Sequence, residues 1–170
     1  AKIGAIMVCI NPAYRPYELE YALNKVECKS VISAESFKTS EYLKMLQALA
    51  PELAECAPGE LTSAKAPHLR SVVRMGTAKT QGMFNFDEVC SMGGATERER
   101  MTEIAATLQP DDAINIQFTS GTTGNPKGAT LSHFNILNNG LQVGAGMRFS
   151  KDDRLCIPVP LYHCFGMVMG

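Results

Sequence analysis

The chain has 170 residues, 45% hydrophobic and 19% charged, with 14 Gly and 9 Pro. That is a globular composition, and it excludes a disordered tail, a collagen-like repeat and a disulfide-stapled miniature domain. With 16 Lys and Arg against 17 Asp and Glu the net charge is −1, so the basic footprint of a nucleic-acid binder is missing and no nucleic-acid partner is expected.

Apolar runs alternate with amphipathic segments, the rhythm of an α/β architecture built from parallel-sheet βα units. Residues 3–10 (IGAIMVCI) are apolar throughout and read as a strand covered on both faces. Asn11-Pro12 closes this run as a turn; no leader-type cleavage site follows. Pro16 suits the first turn of a helix whose Leu19, Ala22, Leu23 and Val26 form one stripe. A second strand is predicted over 29–33, then a helix capped by Thr39 or Ser40 with Tyr42, Met45, Leu46 and Leu49 on one face. Two βα units in series predict parallel strands. The Pro- and Gly-bearing stretch 50–67 reads as a surface excursion, and 71–75 as a third strand. Gly93-Gly94 is a break before a helix over 96–108 with a charged, solvated face, and a boundary between two lobes is expected near 94–110.

Beyond Asp111-Asp112, read as a turn or cap, residues 113–118 alternate like a strand that enters the loop TSGTTGNPKG, 119–128. Ser132 can cap a helix with Phe134, Leu137 and Leu141 along one side, and 154–158 reads as a further strand. The six cysteines, Cys9, Cys28, Cys56, Cys90, Cys156 and Cys164, show neither CxxC nor zinc-type spacing. They read as reduced core filler. Residues 128–147 lack Asp, Glu, Lys and Arg, but Ser132, His133, Asn135, Asn138, Asn139 and Gln142 interrupt them, so a water-facing helix is expected rather than a membrane span. The chain opens on Ala1-Lys2 and stops inside the apolar run 165–170; it reads as an internal slice of a longer protein.

The chemistry concentrates in 119–128. Gly121, Gly124 and Gly128 allow positive φ and close backbone approach. Successive N–H groups in such a loop form an anion-binding nest. The hydroxyls of Thr119, Ser120, Thr122 and Thr123 add donors, and Lys127 adds a mobile positive charge. A strand, then a donor-rich loop, then a helix suits a polyphosphate, though Lys127-Gly128 does not match a Walker A loop. The alternative is a connecting turn with no ligand. His133 reads as a packing residue and His68 as solvated. A Cys156/His163/Cys164 metal site and a Cys164–His163 nucleophile pair are both disfavoured, because adjacent side chains diverge in extended backbone and no orienting carboxylate is near in sequence.

TSGTTGNPKGA resembles the signature phosphate loop of the AMP-binding, adenylate-forming superfamily, which includes acyl-CoA synthetases, beetle luciferases and the adenylation domains of peptide synthetases. GAIMVCINPAYRPYELEYAL (4–23) is similar to that superfamily's upstream segment, and PLYHCFGMVMG (160–170) to its downstream aromatic-His motif. LSHFNI and YHCFG suggest a medium- or long-chain fatty-acyl-CoA synthetase. The resemblance implies part of a large α/β N-terminal domain and a two-step reaction. A fatty carboxylate and ATP give an acyl-adenylate and pyrophosphate, and coenzyme A then displaces AMP to form the thioester. It also implies that Thr119, Ser120, Gly121, Thr122, Thr123, Gly124, Asn125, Pro126, Lys127 and Gly128 bind the ATP phosphates, with Lys127 offsetting the growing negative charge. Tyr162, His163 and Gly166 would line the acyl tunnel, with packing of a core helix as the other reading. Mg2+, adenine and ribose contacts and the mobile C-terminal domain would lie beyond Gly170. A homo-oligomer is compatible with this reading. The location would be the cytoplasm, or the mitochondrial matrix for a eukaryotic source. A luciferase-like or aryl-acid ligase, or a catalytically silent nucleotide-binding fragment, are the alternatives.

Overall fold

The computed structural model describes residues 1–119, 124–163 and 165–169, the side chains of 168 and 169 excepted. The chain divides into two compact units, 12–97 and the combination of 1–11 with 98–170.

The unit 12–97 is built on a three-stranded sheet. Helix α1 (Pro16–Lys25) starts at Pro16, whose missing N–H falls where helices leave donors unpaired anyway. The Glu18 carboxylate accepts the Arg15 N–H at 3.1 Å, and Leu19, Ala22 and Leu23 are buried. Strand β2 (Ser30–Ser33) pairs in parallel with β3 (Ser71–Arg74), which pairs in parallel with β4 (Phe84–Asn85). Helix α2 (Tyr42–Leu49) lies between β2 and β3 in sequence, and neither Thr39 nor Ser40 caps it. Glu41 holds the N-cap position, while Ser40 is buried and accepts a hydrogen bond from Arg15 Nη1 at 3.4 Å. Its buried face is Leu43, Leu46 and Leu49, which displaces the predicted face bearing Tyr42 and Met45 by a residue.

The stretch 50–67 is not a surface excursion. It opens with a 3-10 turn, Pro51–Ala54, and inserts Leu53, Leu61 and Ala66 at 1%, 0% and 1% exposure. Its prolines and glycine set turns, and those turns let the apolar side chains between them reach the core. Glu52 fastens the segment by accepting the Ala64 N–H at 3.0 Å. At Gly82, where φ is +72°, a Cβ would collide with the Leu53 carbonyl, so only glycine fits. Two elements were not legible in advance: the two-residue β4 and helix α3 (Phe86–Met92). Helix α4 (Ala95–Thr107) follows the Gly93-Gly94 break and buries no residue, in keeping with its charged face.

In the other unit, β5 (Ala113–Phe118) is central, with β1 (Met7–Cys9) parallel on one side and β6 (Gly128–Ser132) antiparallel on the other. Parallel pairing is present, but β1 and β2 belong to different sheets. As an edge strand β1 is shorter than predicted and is not covered on both faces: Ile3, Ile6 and Met7 are exposed. Helix α5 (His133–Gly146) is capped as expected by Ser132, which accepts the Asn135 N–H at 3.2 Å. Its side bearing Phe134, Leu137 and Leu141 is exposed. Residues 154–158 form no strand, since Pro158 and the following Pro160 lack the N–H a ladder requires. A π-helical turn, Phe165–Met169, packs on α5.

The cysteines do not fill the core. Cys9, Cys28 and Cys56 are half-buried, Cys90 and Cys156 are exposed, and Cys164 lies outside the described residues. Burial pushes the Cys9 and Cys28 thiols above their ordinary range. Among the described residues no helix is long and apolar enough to cross a membrane.

Candidate functional site

Strand β5 carries the predicted loop out of its carboxyl end, and β1, being parallel, ends beside it. In open α/β sheets this is the side on which ligands bind. The loop does not lead directly into a helix, as the sequence suggested. It joins β5 to β6 as a hairpin, and α5 begins only after β6. The reason lies in 128–132 (GATLS), which continues the β5 ladder before Ser132 caps the helix.

Thr119 forms the foot of the hairpin: its N–H donates to the Lys127 carbonyl at 2.9 Å, and its Oγ1 approaches the same oxygen at 3.4 Å. The side chains of Ser120, Thr122 and Thr123, and Gly121, lie outside the described residues. Gly124 has a φ of +132°, a conformation that favours glycine. Asn125 and Lys127 are exposed and Pro126 half-buried. Gly128 packs flat on β5, where a Cβ would stand 2.9 Å from Ile116 Cγ2. Lys127 has no carboxylate within ion-pair distance among the described residues. An exposed, uncompensated ammonium on a glycine-bearing hairpin fits an anionic ligand. Among the described residues no group of three His, Cys, Asp or Glu could hold a metal ion.

The second candidate segment is held by local bonds. His163 N–H donates to the Pro160 carbonyl at 3.1 Å, Gly166 N–H to the His163 carbonyl at 3.0 Å, and the Phe165 N–H to His163 Nδ1 at 3.2 Å. Tyr162 is half-buried and His163 exposed. Gly166 is buried, and a Cβ there would stand 2.6 Å from the Pro160 carbonyl oxygen. Its first requirement is therefore close backbone packing.

The remaining polar candidates resolve as structure. Asp112 Oδ2 accepts the Gln109 N–H at 2.7 Å and closes the turn before β5. His133 donates its N–H to the Asp112 carbonyl at 3.3 Å, and its Nε2 is buried without a partner among the described residues. His68 is half-buried. Sequence reasoning passed over two buried amides on β5, Asn115 and Gln117. Their signal was present as polar residues alternating with Ile114, Ile116 and Phe118 along the predicted strand. A cavity of ≈ 410 Å³ in the unit 12–97, bordered by Pro58, Lys79, Phe84, Glu88 and Met92 among others, touches none of the predicted site residues.

The mitochondrial medium-chain acyl-CoA ligase of Danio rerio is 44% identical over 172 residues, an alignment that takes in 100% of this chain and 28% of the ligase. The chain thus spans less than a third of the length of the curated relatives it matches. Among solved structures it is similar to ATP-bound MatB from Rhodopseudomonas palustris, with a TM-score of 0.59 and 25% identity over 96% of this chain and 27% of that one. A long-chain-fatty-acid-CoA ligase from Archaeoglobus fulgidus shares the fold at a TM-score of 0.60 and 23% identity, covering 99% of this chain and 28% of its own. The AMP-binding enzyme family matches residues 1–170. The chain belongs to the AMP-binding enzyme family.

Proposed function

We propose that this chain is an internal part of the N-terminal domain of a fatty-acyl-CoA synthetase. It supplies the ATP-phosphate loop and part of the acyl pocket. The observation that carries the reading is Lys127, an exposed cation without a carboxylate partner among the described residues, at the carboxyl end of the central strand. The 44% identity to a medium-chain acyl-CoA ligase and the likeness to an ATP-bound structure support it.

In this reading Thr119, Ser120, Gly121, Thr122, Thr123, Gly124, Asn125, Pro126, Lys127 and Gly128 bind the phosphates of ATP. Hydroxyls and amides donate to phosphate oxygens, and Lys127 offsets the charge that grows on the departing pyrophosphate. The attacking group is the fatty carboxylate, and no protein nucleophile is needed. Tyr162, His163 and Gly166 belong to the acyl side, Gly166 by letting the turn at 163–166 close against Pro160. ATP supplies the activated phosphorus, and coenzyme A the thiol that takes the acyl group. Residues outside this chain hold Mg2+. The mitochondrial name of the Danio rerio relative supports a mitochondrial location for a eukaryotic source.

The test is carboxylate-dependent exchange of pyrophosphate into ATP by the full-length protein, with a panel of fatty and aryl acids. Exchange greatest with medium or long fatty acids is the expected result. Exchange confined to aryl acids would assign the second ligase class. No exchange with any acid would leave the silent nucleotide-binding reading.

A further inference from the structure

The phosphate loop does not account for the buried amides of β5. Asn115 is 1% exposed and Gln117 5%, and alternation along the strand puts both side chains on one face. Their orientations follow from their partners. The Met7 carbonyl can only accept, so Asn115 presents Nδ2 to it, at 3.1 Å. Asn115 Oδ1 then needs a donor, and Gln117 supplies Nε2 at 3.0 Å. What remains is Gln117 Oε1, buried and without a partner among the described residues. A buried acceptor left unpaired carries a desolvation penalty that a donor would remove.

The hairpin register names the donor. Gln117 lies opposite Ala129 and Phe118 opposite Gly128. Lys127 therefore lies opposite Thr119, to which its carbonyl is bonded, and strand alternation continued one residue beyond β6 assigns it to the face of Gln117. Lys127 is the diagonal neighbour of Gln117, a separation that long side chains span. Ala129, directly opposite, is too small to block the path. Cys9 flanks Gln117 from β1, but a thiol is a weak donor.

We propose that Gln117 is a positioning residue for Lys127: its Oε1 accepts a hydrogen bond from Nζ and holds the ammonium over the foot of the loop. The catalytic consequence rests on the phosphate-loop reading above; the pairing itself does not.

The experiment uses the full-length protein and the variants Gln117→Met, Gln117→Glu and Lys127→Ala. Trace acylation with acetic anhydride, without nucleotide, reads the freedom of the Lys127 amine by mass spectrometry. An amine held by an acceptor reacts slowly, so Gln117→Met should raise its rate about 3- to 10-fold. Gln117→Glu keeps an acceptor and should react no faster than the wild type. A purely structural amide predicts the opposite order, because a buried carboxylate disturbs the strand more than Met does. Equal rates in wild type and Gln117→Met, or a faster rate in Gln117→Glu, would overturn the pairing. Should Gln117→Met fail to fold, Gln117→Glu decides alone: its carboxylate should slow acylation of Lys127 below the wild-type rate, and an unchanged or faster rate would overturn the pairing.

Pyrophosphate exchange supplies the second readout. Gln117→Met should lose about 10-fold in the wild-type background, the scale of one charge-assisted hydrogen bond. In the Lys127→Ala background it should lose less than about 2-fold, since a residue acting through Lys127 has nothing left to act on. Additive losses overturn the proposal. The expected acylation order in a protein that exchanges no pyrophosphate would uphold the pairing and count against the ligase reading alone.

Discussion

The two units put their burial to different uses. Among the described residues, every hydrophobic side chain of the buried core lies in 12–97, from Leu19 to Met83. In the unit formed by 1–11 and 98–170 the buried side chains are the amides Asn115 and Gln117, while Phe134, Leu137 and Leu141 are exposed at 56%, 73% and 68%. One unit is held by a packed apolar core. The other carries a hairpin on which Lys127 is exposed. Stability and chemistry should therefore respond to different substitutions.

The largest effect is expected in the core. Leu61→Ala should cost about 2–5 kcal/mol, the range for emptying a buried leucine site, whereas Leu137→Ala should fall within about 0.5 kcal/mol. Urea unfolding of the two variants compares them, and equal losses would erase the contrast between the units. Lys127→Ala reverses the pattern. It should slow adenylate formation by about 10- to 1000-fold with little change in unfolding, and thioester formation from supplied acyl-adenylate should largely survive. Unchanged adenylation in that variant removes the role given to the lysine.

A smaller effect concerns the exposed side of α5. Apolar surface of this extent favours association, so the isolated 170-residue chain should run above its monomer mass in light scattering. Leu137→Asp should lower that mass without weakening the core of 12–97. The smallest effect is on acid stability. The Ala64 N–H, with lesser help from Ser63 and Lys65, holds the Glu52 carboxyl below its ordinary range. A carboxyl depressed in the folded state stabilises above its unfolded pKa, and the contribution disappears as pH falls through the folded value. Thermal midpoints should thus drop more steeply with acid in the wild type than in Glu52→Gln. Parallel pH profiles would show that this carboxylate does not tether 50–67.

Local signals in the chain were enough to place α1 behind Pro16, α4 behind the double glycine and α5 behind Ser132. Each of these boundaries is written in backbone chemistry, an absent donor, a helix break or a capping hydroxyl. The same holds for the loop 119–128, whose glycines, hydroxyls and lysine are contiguous and whose resemblance to a phosphate loop needs no folded context. Errors arose where neighbours in space decide. The stretch 50–67 looked like surface because of its prolines and glycine, yet Leu53 and Leu61 are buried by elements distant in sequence. Residues 3–10 looked like a covered strand, but an edge position leaves β1 with one partner.

Composition and motif spacing by themselves determined the α/β class and the resemblance to the AMP-binding family, since these depend on residue type and order. Only the tertiary structure decided which strands pair and what the loop stands on. It placed β1 beside β5, turned 128–132 into a returning strand, and buried Asn115 and Gln117 on β5. Strand pairing is a choice among partners far apart in the chain, made by burial and hydrogen-bond satisfaction over the whole sheet. No local pattern encodes that choice, and so the burial of Asn115 and Gln117 became visible only when the sheet was assembled.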